Sequence, residues 1–547
     1  LWFNGGEDTT FIRKMYNKAI NLRLAMSYYE PISQWCTKHN IALAGHPHAS
    51  DEIGVLKYFH IPGQDLVLRW VAPEGGKALE GRDSTMGKCS SDAARHTGKR
   101  RNSNECFGCC VTYKPGQGWN LPAGDMKWYM DWLFVRGVNL IVPHAFYYSI
   151  KGKRAYERPP DVGPNNIWWP YYNIISEYIK RMSWLMTDSI NITETAVLCE
   201  ENHLPWKVVK SLYQNQIEFN YLEDNLFISP ACKLDNGWIC IENQRYKVLI
   251  IENKEVITRR IKRDQETLLE METVLETRLK EFISSGGIVI VYDPGDAEGT
   301  DEAGGACNCV CNNSDNVAYN SACNDISNYS LVKPNPAGVY KSGGIYKINH
   351  INKLVELLDR FIKRDVVLIP PNEDLRVSHV VKGGVHFYLL VNEGEESIKG
   401  ELKTNVIGRV EKWDAWNGKC EKIVAHGEIV ASEARIPLLL QRRESAILCI
   451  DTSRPPNIET SNIVGRETIR WIKELKPDNE WDIRIDGHKV DGSFMHKSWT
   501  QWLGMEDYWG TVSYKNEFVI DGDEMGNITS VVLDLGEVYE IAHIYIN

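Results

Sequence analysis

Apolar residues recur at helical spacing through residues 10–39, at Phe11, Met15, Ile20, Leu24, Met26 and Trp35. A short apolar run, Ile41 to Ala44, follows and ends in Gly45-His46-Pro47-His48. A second strand is expected at Asp65-Leu66-Val67-Leu68-Arg69-Trp70, then a small-residue helix from Ser84 to His96. Residues 100–104 lead as a strand into Glu105-Cys106-Phe107-Gly108. Met126–Arg136 is an amphipathic helix stopped by Gly137, and Val138–Val142 is a buried strand ending in Pro143-His144-Ala145-Phe146-Tyr147-Tyr148. An aromatic helix covers Trp169–Met186. Strands alternating with helices predict a parallel sheet, and polar or aromatic residues close each strand, where α/β barrels carry their chemistry. Four such units make the C-terminal half of a (β/α)8 barrel over residues 1–190, and the other half is expected before Leu1.

The pattern changes after Thr193. Ala196–Cys199, Lys247–Ile251 and Ile288–Tyr292 read as strands, with helices at Trp206–Phe219, Glu266–Ile283 and Leu354–Ile362. Residues 191–363 therefore read as an open flavodoxin-like α/β domain with a Gly/Asn/Cys-rich insertion near 295–345. Short alternating strands such as Val385–Val391, with turns such as Asn417-Gly418, make 364–453 a β-sandwich. Residues 454–547 are a further β-rich module. The fold class is thus multidomain, α/β plus all-β.

The chain has 547 residues with Lys+Arg 62 against Asp+Glu 73, a net charge of −11, which disfavours a protein that binds nucleic acid by neutralising phosphate. The length fits roughly three or four domains. No apolar run reaches the ~20 residues of a membrane helix. The 14 Cys are scattered, several in apolar runs, which suits reduced thiols and favours a cytoplasmic setting. Cys307, Cys309, Cys311 and Cys323 cluster in the insertion, but C-x-C-x-C is not the usual zinc spacing. No dinucleotide fingerprint, phosphate loop, G-x-S-x-G or H-E-x-x-H occurs where its chemistry would need it.

Glu105 is the sharpest candidate. A carboxylate at the C-terminal end of a barrel strand faces the pocket shared by all the strand–helix loops, and glycoside cleavage needs two carboxylates. The blander alternative pairs Glu105 with an Arg such as Arg69. Around it, His46, His48, Trp119, His144, Tyr147, Tyr148 and Trp168 supply the rings and polar groups of a sugar site, with core packing the alternative for each aromatic. Glu52 and Asp65 are added as substrate contacts. Asp51-Glu52 alternatively caps a helix, and Asp65 alternatively sits in a turn. Lys127 and Asp131 read as a surface pair, and Cys106, Cys109 and Cys110 as weak rivals for a thiol nucleophile.

The stretch Asn102-Ser103-Asn104-Glu105-Cys106-Phe107-Gly108, then Gly118-Trp119, Met126-Lys127, Asp131-Trp132, Arg136-Gly137-Val138-Asn139 and Pro143 to Ser149 resembles family 106 α-L-rhamnosidases. More distantly it is similar to the family 2 and family 42 β-galactosidase clan. Gly45-His46, Pro62-Gly63-Gln64-Asp65 and Ala93-Ala94-Arg95 fit the same group, as does the order barrel, flavodoxin-like domain, sandwich, sugar-binding jelly roll. The resemblance implies a carbohydrate substrate, with Glu105 on the penultimate barrel strand as nucleophile or base. The proton donor is then expected before Leu1. The resemblance also brings calcium as a possible cofactor, although the residues themselves show no calcium cage. A rhamnoside is the first expectation and a β-galactoside the second; the rival from another class is a non-catalytic carbohydrate-binding protein.

Overall fold

A computed structural model describes residues 8–73, 76–108, 121–156, 161–252, 266–294, 343–423, 433–456, 481–490 and shorter runs within 499–546. The chain forms two compact units, residues 1–459 and 460–547.

The first unit opens with helices Asp8–Leu24 and Glu30–Lys38, joined by a π-helical turn at Ala25–Tyr29. Four parallel strands follow in sequential order: β1 (Ala44–Gly45), β2 (Ile61–Asp65), β3 (Ser103–Cys106) and β4 (Leu140–Pro143). Among the described residues they form an open sheet rather than a closed barrel. The expected second strand moves: Ile61–Asp65 takes that place, and Leu68–Val71 is a short helix. The reason is tertiary. A Cβ on Gly63 would lie 2.5 Å from the Gly45 carbonyl oxygen, so only glycine lets β1 and β2 pair at this point. Helix Gly81–His96 covers one face of the sheet, where Gln64, Asn104 and Ile141 are buried. The alternate residues Asp65, Glu105 and Val142 project from the other face, and Val142 is 46% exposed.

Helices Ala123–Phe134 and Tyr172–Met186 complete this part, and β5 (Ile190–Asn191) leaves it. The α/β part has a five-stranded parallel sheet. Its members are β6 (Thr195–Cys199), β7 (Asn220–Glu223), β11 (Val248–Glu252), β12 (Ile288–Tyr292) and β13 (Gly344–Ile348), in the order β13-β12-β11-β6-β7. A meander of β8 (Lys233–Asp235), β9 (Trp238–Ile241) and β10 (Gln244–Tyr246) interrupts it. Both faces of the sheet are covered, which is why β12 is apolar at every position. One face packs against helices Lys207–Gln214 and Asn352–Leu358 and takes in Ile53, Leu56 and Phe59 from the turn Ile53–Tyr58 after β1. The other packs against helix Glu266–Ser284 through Leu279 and Phe282. Fully burying each such side chain contributes ~1.5–3 kcal/mol. The first two modules therefore share one core.

The sandwich pairs a three-stranded sheet with a six-stranded one. The first contains β14 (Val366–Ile369), β17 (Ile398–Thr404) and β20 (Ala434–Leu440). The second contains β15 (Leu375–Lys382), β16 (Val385–Asn392), β18 (Arg409–Asp414), β19 (Lys419–Lys422) and β21 (Ser445–Asp451), with β5 at its edge beside β15. A buried ion triad ties it to the four-stranded sheet's helices. Arg136 donates to Glu393 Oε1 at 2.6 Å, Arg376 donates to Oε2 at 3.1 Å, and the Arg136 guanidinium stacks 3.8 Å from the Trp132 ring centre. Lys127 and Asp131 belong to the same buried seam, 2.6 Å apart, with Ser445 accepting from Lys127. The expected surface pair is thus a contact between modules, because the sandwich covers that helix face.

The second unit, taken by itself, shows a three-stranded antiparallel sheet of β22 (Asp482–Ile485), β23 (His488–Val490) and β24 (Val512–Lys515), with Ile483 and Trp502 buried.

Candidate active site

Glu105 is the third residue of β3, in register with Asp65 on β2 and Val142 on β4. Strand alternation sends the Asn104 side chain under the helices and the Glu105 carboxylate to the open face, where it is 33% exposed. His46, just after β1, places Nε2 3.4 Å from Glu105 Oε2. His144, just after β4, places Nε2 4.0 Å from Oε1. Asp65 ends β2 beside them: His46, Asp65 and Glu105 each offer a donor atom within 4.8 Å of the others. Three adjacent strand ends thus deliver two carboxylates and an imidazole to one point, with a second imidazole at the rim. Among the described residues the neighbours of the Glu105 carboxylate are the two imidazoles, not Arg69.

The loops that hold these groups are built locally. Ser50 Oγ donates to the Asp65 carbonyl oxygen at 2.6 Å and accepts from its N–H at 2.9 Å, stapling the loop after β1 to the end of β2. His46 Nδ1 lies 2.9 Å from the Pro47 carbonyl oxygen. The His144 N–H donates to the Cys106 carbonyl oxygen at 2.7 Å, carrying the β3–β4 pairing past β4. Its ring lies edge-on to Tyr147, with centres 6.1 Å apart. Buried Asp161 orders the segment after β4, its carboxylate accepting from the N–H groups of Tyr147, Gly163 and Asn165 at 3.0–3.1 Å. Asp161 and Ser50 were not among the sequence candidates. Asp161-Val162-Gly163-Pro164-Asn165 carries the Asp/Gly/Pro/Asn signature of a side-chain-bonded turn, which could have revealed the first; nothing local marks the second.

The remaining candidates fall elsewhere. His48 and Glu52 share the loop after β1. There Glu52 accepts from the Ala49 N–H at 3.4 Å, and burial raises its carboxyl above the usual range. Asp51 caps no helix; it is buried and takes both donors of Arg82 at 2.5 Å. Tyr148 is 98% exposed. Trp168 is buried, donates to the Leu121 carbonyl oxygen at 3.0 Å and stacks on Tyr172, so it is part of the packing under the site. Trp119, Cys109, Cys110 and the cysteines of the insertion lie outside the described residues. Cys106 is buried, and both that burial and the charge of Glu105 push its thiol well above the usual range, which removes it as a nucleophile. The eight described cysteines are all free thiols.

Calcium takes six to eight oxygen ligands. The converging set here offers two carboxylates and an imidazole nitrogen, so it does not make a calcium cage. No helix among the described residues is long and apolar enough to cross a membrane.

No family model and no curated protein matches the sequence. Solved structures do match. A rhamnosidase from Novosphingobium sp. PP1Y is 15% identical with a TM-score of 0.53, over 84% of this chain and 41% of that one. A GH42 β-galactosidase from G. stearothermophilus is 11% identical, TM-score 0.43, over 73% and 61% of the two chains. An α-L-fucosidase from Paenibacillus thiaminolyticus is 11% identical, TM-score 0.42, over 75% and 67%. The chain thus spans well under half the length of the rhamnosidase. The fold described above is similar to that of part of that protein.

Proposed function

We propose that the protein is a glycoside hydrolase acting on a terminal sugar, with an α-L-rhamnoside as the first substrate to test and a β-galactoside as the second. The four-stranded sheet is read as the C-terminal half of a (β/α)8 barrel, and the last module as a partial sugar-binding jelly roll. The observation that carries this reading is the Glu105 carboxylate. It stands at the open end of the penultimate parallel strand, between His46 and His144. Its role is nucleophile or base, and the imidazoles and Asp65 hold sugar hydroxyls. The fold likeness to a rhamnosidase supports the same assignment.

Asp65 is paired side by side with Glu105 in the sheet register, so the two do not flank a scissile bond from opposite sides. Asp65 therefore binds and orients substrate, and the leaving-group acid is assigned to a residue outside this cluster. Glu105→Gln in the full-length protein is expected to cut turnover of aryl glycosides on the order of 10²–10⁴-fold while sugar affinity persists. Unchanged turnover removes Glu105 from the mechanism. A wild-type protein that binds sugar without turnover favours the binding-protein alternative.

A further inference from the structure

We propose that Gly108 is a positioning residue of the site: the space left by its missing side chain seats the His144 imidazole beside Glu105, and a methyl group there dislodges the ring. Gly108 follows β3 by two residues. A Cβ at this position would meet the His144 side chain first, lying 2.9 Å from Nδ1, 3.0 Å from Cγ and 3.5 Å from Cβ. The backbone of Gly108 is outside the left-handed region, so its own angles do not call for glycine. The close approach of the ring does.

The rest of the local structure brings the ring to that seat. Phe107 adopts φ 77°, a left-handed conformation that a residue with a side chain avoids. Its ring is fully buried and edge-on to Tyr129, with centres 6.3 Å apart, and this packing holds the turn. Backbone strain of this kind, two residues after a candidate catalytic carboxylate, is tolerated where it fixes a functional group. The His144 main chain is anchored separately, its N–H donating to the Cys106 carbonyl oxygen at 2.7 Å. Its Nδ1 is buried and makes no hydrogen bond among the described residues, so packing against Gly108 and Tyr147 sets the place of that side of the ring. Nε2 is then 4.0 Å from Glu105 Oε1. The effect on turnover rests on the glycosidase reading of Glu105; the seat itself does not.

A double-mutant cycle in the full-length protein separates this role from general damage. Gly108→Ala should keep the wild-type circular dichroism spectrum and lower kcat/KM for aryl glycosides on the order of 10²-fold, the loss dividing between kcat and KM as it does in His144→Ala. In the His144→Ala background there is no ring to dislodge, and adding Gly108→Ala should change kcat/KM by less than about 2-fold. A crystal structure of Gly108→Ala should show the imidazole displaced from Glu105 with the backbone of β3 and β4 unmoved. Arg100→Ala, on the exposed Asp188 pair, is the control that keeps wild-type turnover. Equal losses from Gly108→Ala in both backgrounds overturn the proposal, and so does a ring left in place. If Gly108→Ala does not fold, the double variant should, because the clash is with the ring; failure of both overturns the proposal as well. If the wild-type protein turns over no glycoside, the hydrolase reading fails, and the place of the ring in Gly108→Ala decides the seat by itself.

Discussion

Two parallel sheets in this chain carry acidic residues at their carboxyl edges, and they use them in opposite ways. On the four-stranded sheet, Asp65 and Glu105 project from the face opposite helix Gly81–His96, and the Glu105 side chain is 33% exposed. On the five-stranded sheet the corresponding groups are occupied. Glu252 accepts from the Val208 N–H at 2.8 Å, Glu223 is buried and accepts from Asn225, and Glu201 Oε1 accepts from the Asn21 side-chain amide at 3.3 Å, while the Gly54 N–H donates to the Glu201 backbone carbonyl at 2.9 Å. The turn Ile53–Tyr58 plugs that second edge and adds its side chains to the core. Carboxylates at the end of a parallel strand are therefore a starting point for chemistry only where nothing else packs on them.

The contrast can be broken in four places. The largest effect is that of Glu105→Gln on turnover, described above. The same variant should change unfolding free energy by less than ~0.5 kcal/mol, because its side chain is not part of a core. Glu393→Ala is the converse: it leaves Arg136 and Arg376 buried and unpaired, and urea unfolding should show a loss of about 3–5 kcal/mol. Gly54→Ala attacks the plug, since its Cβ would lie 2.5 Å from Glu201 Cβ; a loss of ~1–3 kcal/mol in thermal or urea unfolding is expected.

The smallest effect concerns Asp224, at the plugged edge. Burial, with Glu223 adding its charge, pushes its carboxyl up to about 7. The folded protein holds a proton there that the unfolded chain releases near pH ~4. Its contribution is thus intact below pH ~4 and is lost as pH rises towards about 7. Asp224→Asn should flatten this decline, gaining ~1–2 kcal/mol over wild type at pH 8 relative to pH 5; parallel curves for the two proteins would remove Asp224 from the pH response.

Much of this was legible because some signals are local. Ile288–Tyr292 is apolar throughout and is the strand it looks like. The helix Gly81–His96 and the strand carrying Glu105 follow from spacing and the flanking residues. The second strand was misplaced because Leu66-Val67-Leu68 is the more strand-like run, while Ile61-Pro62-Gly63-Gln64-Asp65 contains the two residues that strands avoid. Only the neighbouring backbone at Gly45 explains why Gly63 belongs there. The helix expected from Trp206 to Phe219 ends at Gln214, and Gln216 adopts φ 53°, freeing Phe219 to reach the core ahead of β7. At the site, His46 and His144 were legible as strand-end residues, whereas Asp65 read as the start of the expected strand or as a turn residue and ends β2 only because that strand is Ile61–Asp65. Trp168 was not, since an indole reads alike whether it faces a ligand or the packing beneath one.

One pairing has a consequence for how the chain is assembled. β5 lies against β15, so Asn191 and Val380 are neighbours although the whole α/β part separates them. The backbone at Ile192 donates to the His379 carbonyl oxygen, and the carboxylate of Asp365 meets the same histidine's Nδ1 at 2.8 Å. Entry and exit of that part thus converge on one residue. In connectivity it is a guest lodged within a host, although its core, which takes in Ile53, Leu56 and Phe59, is shared with that host. During synthesis the host's outermost strand must wait for the guest to emerge before it finds its partner.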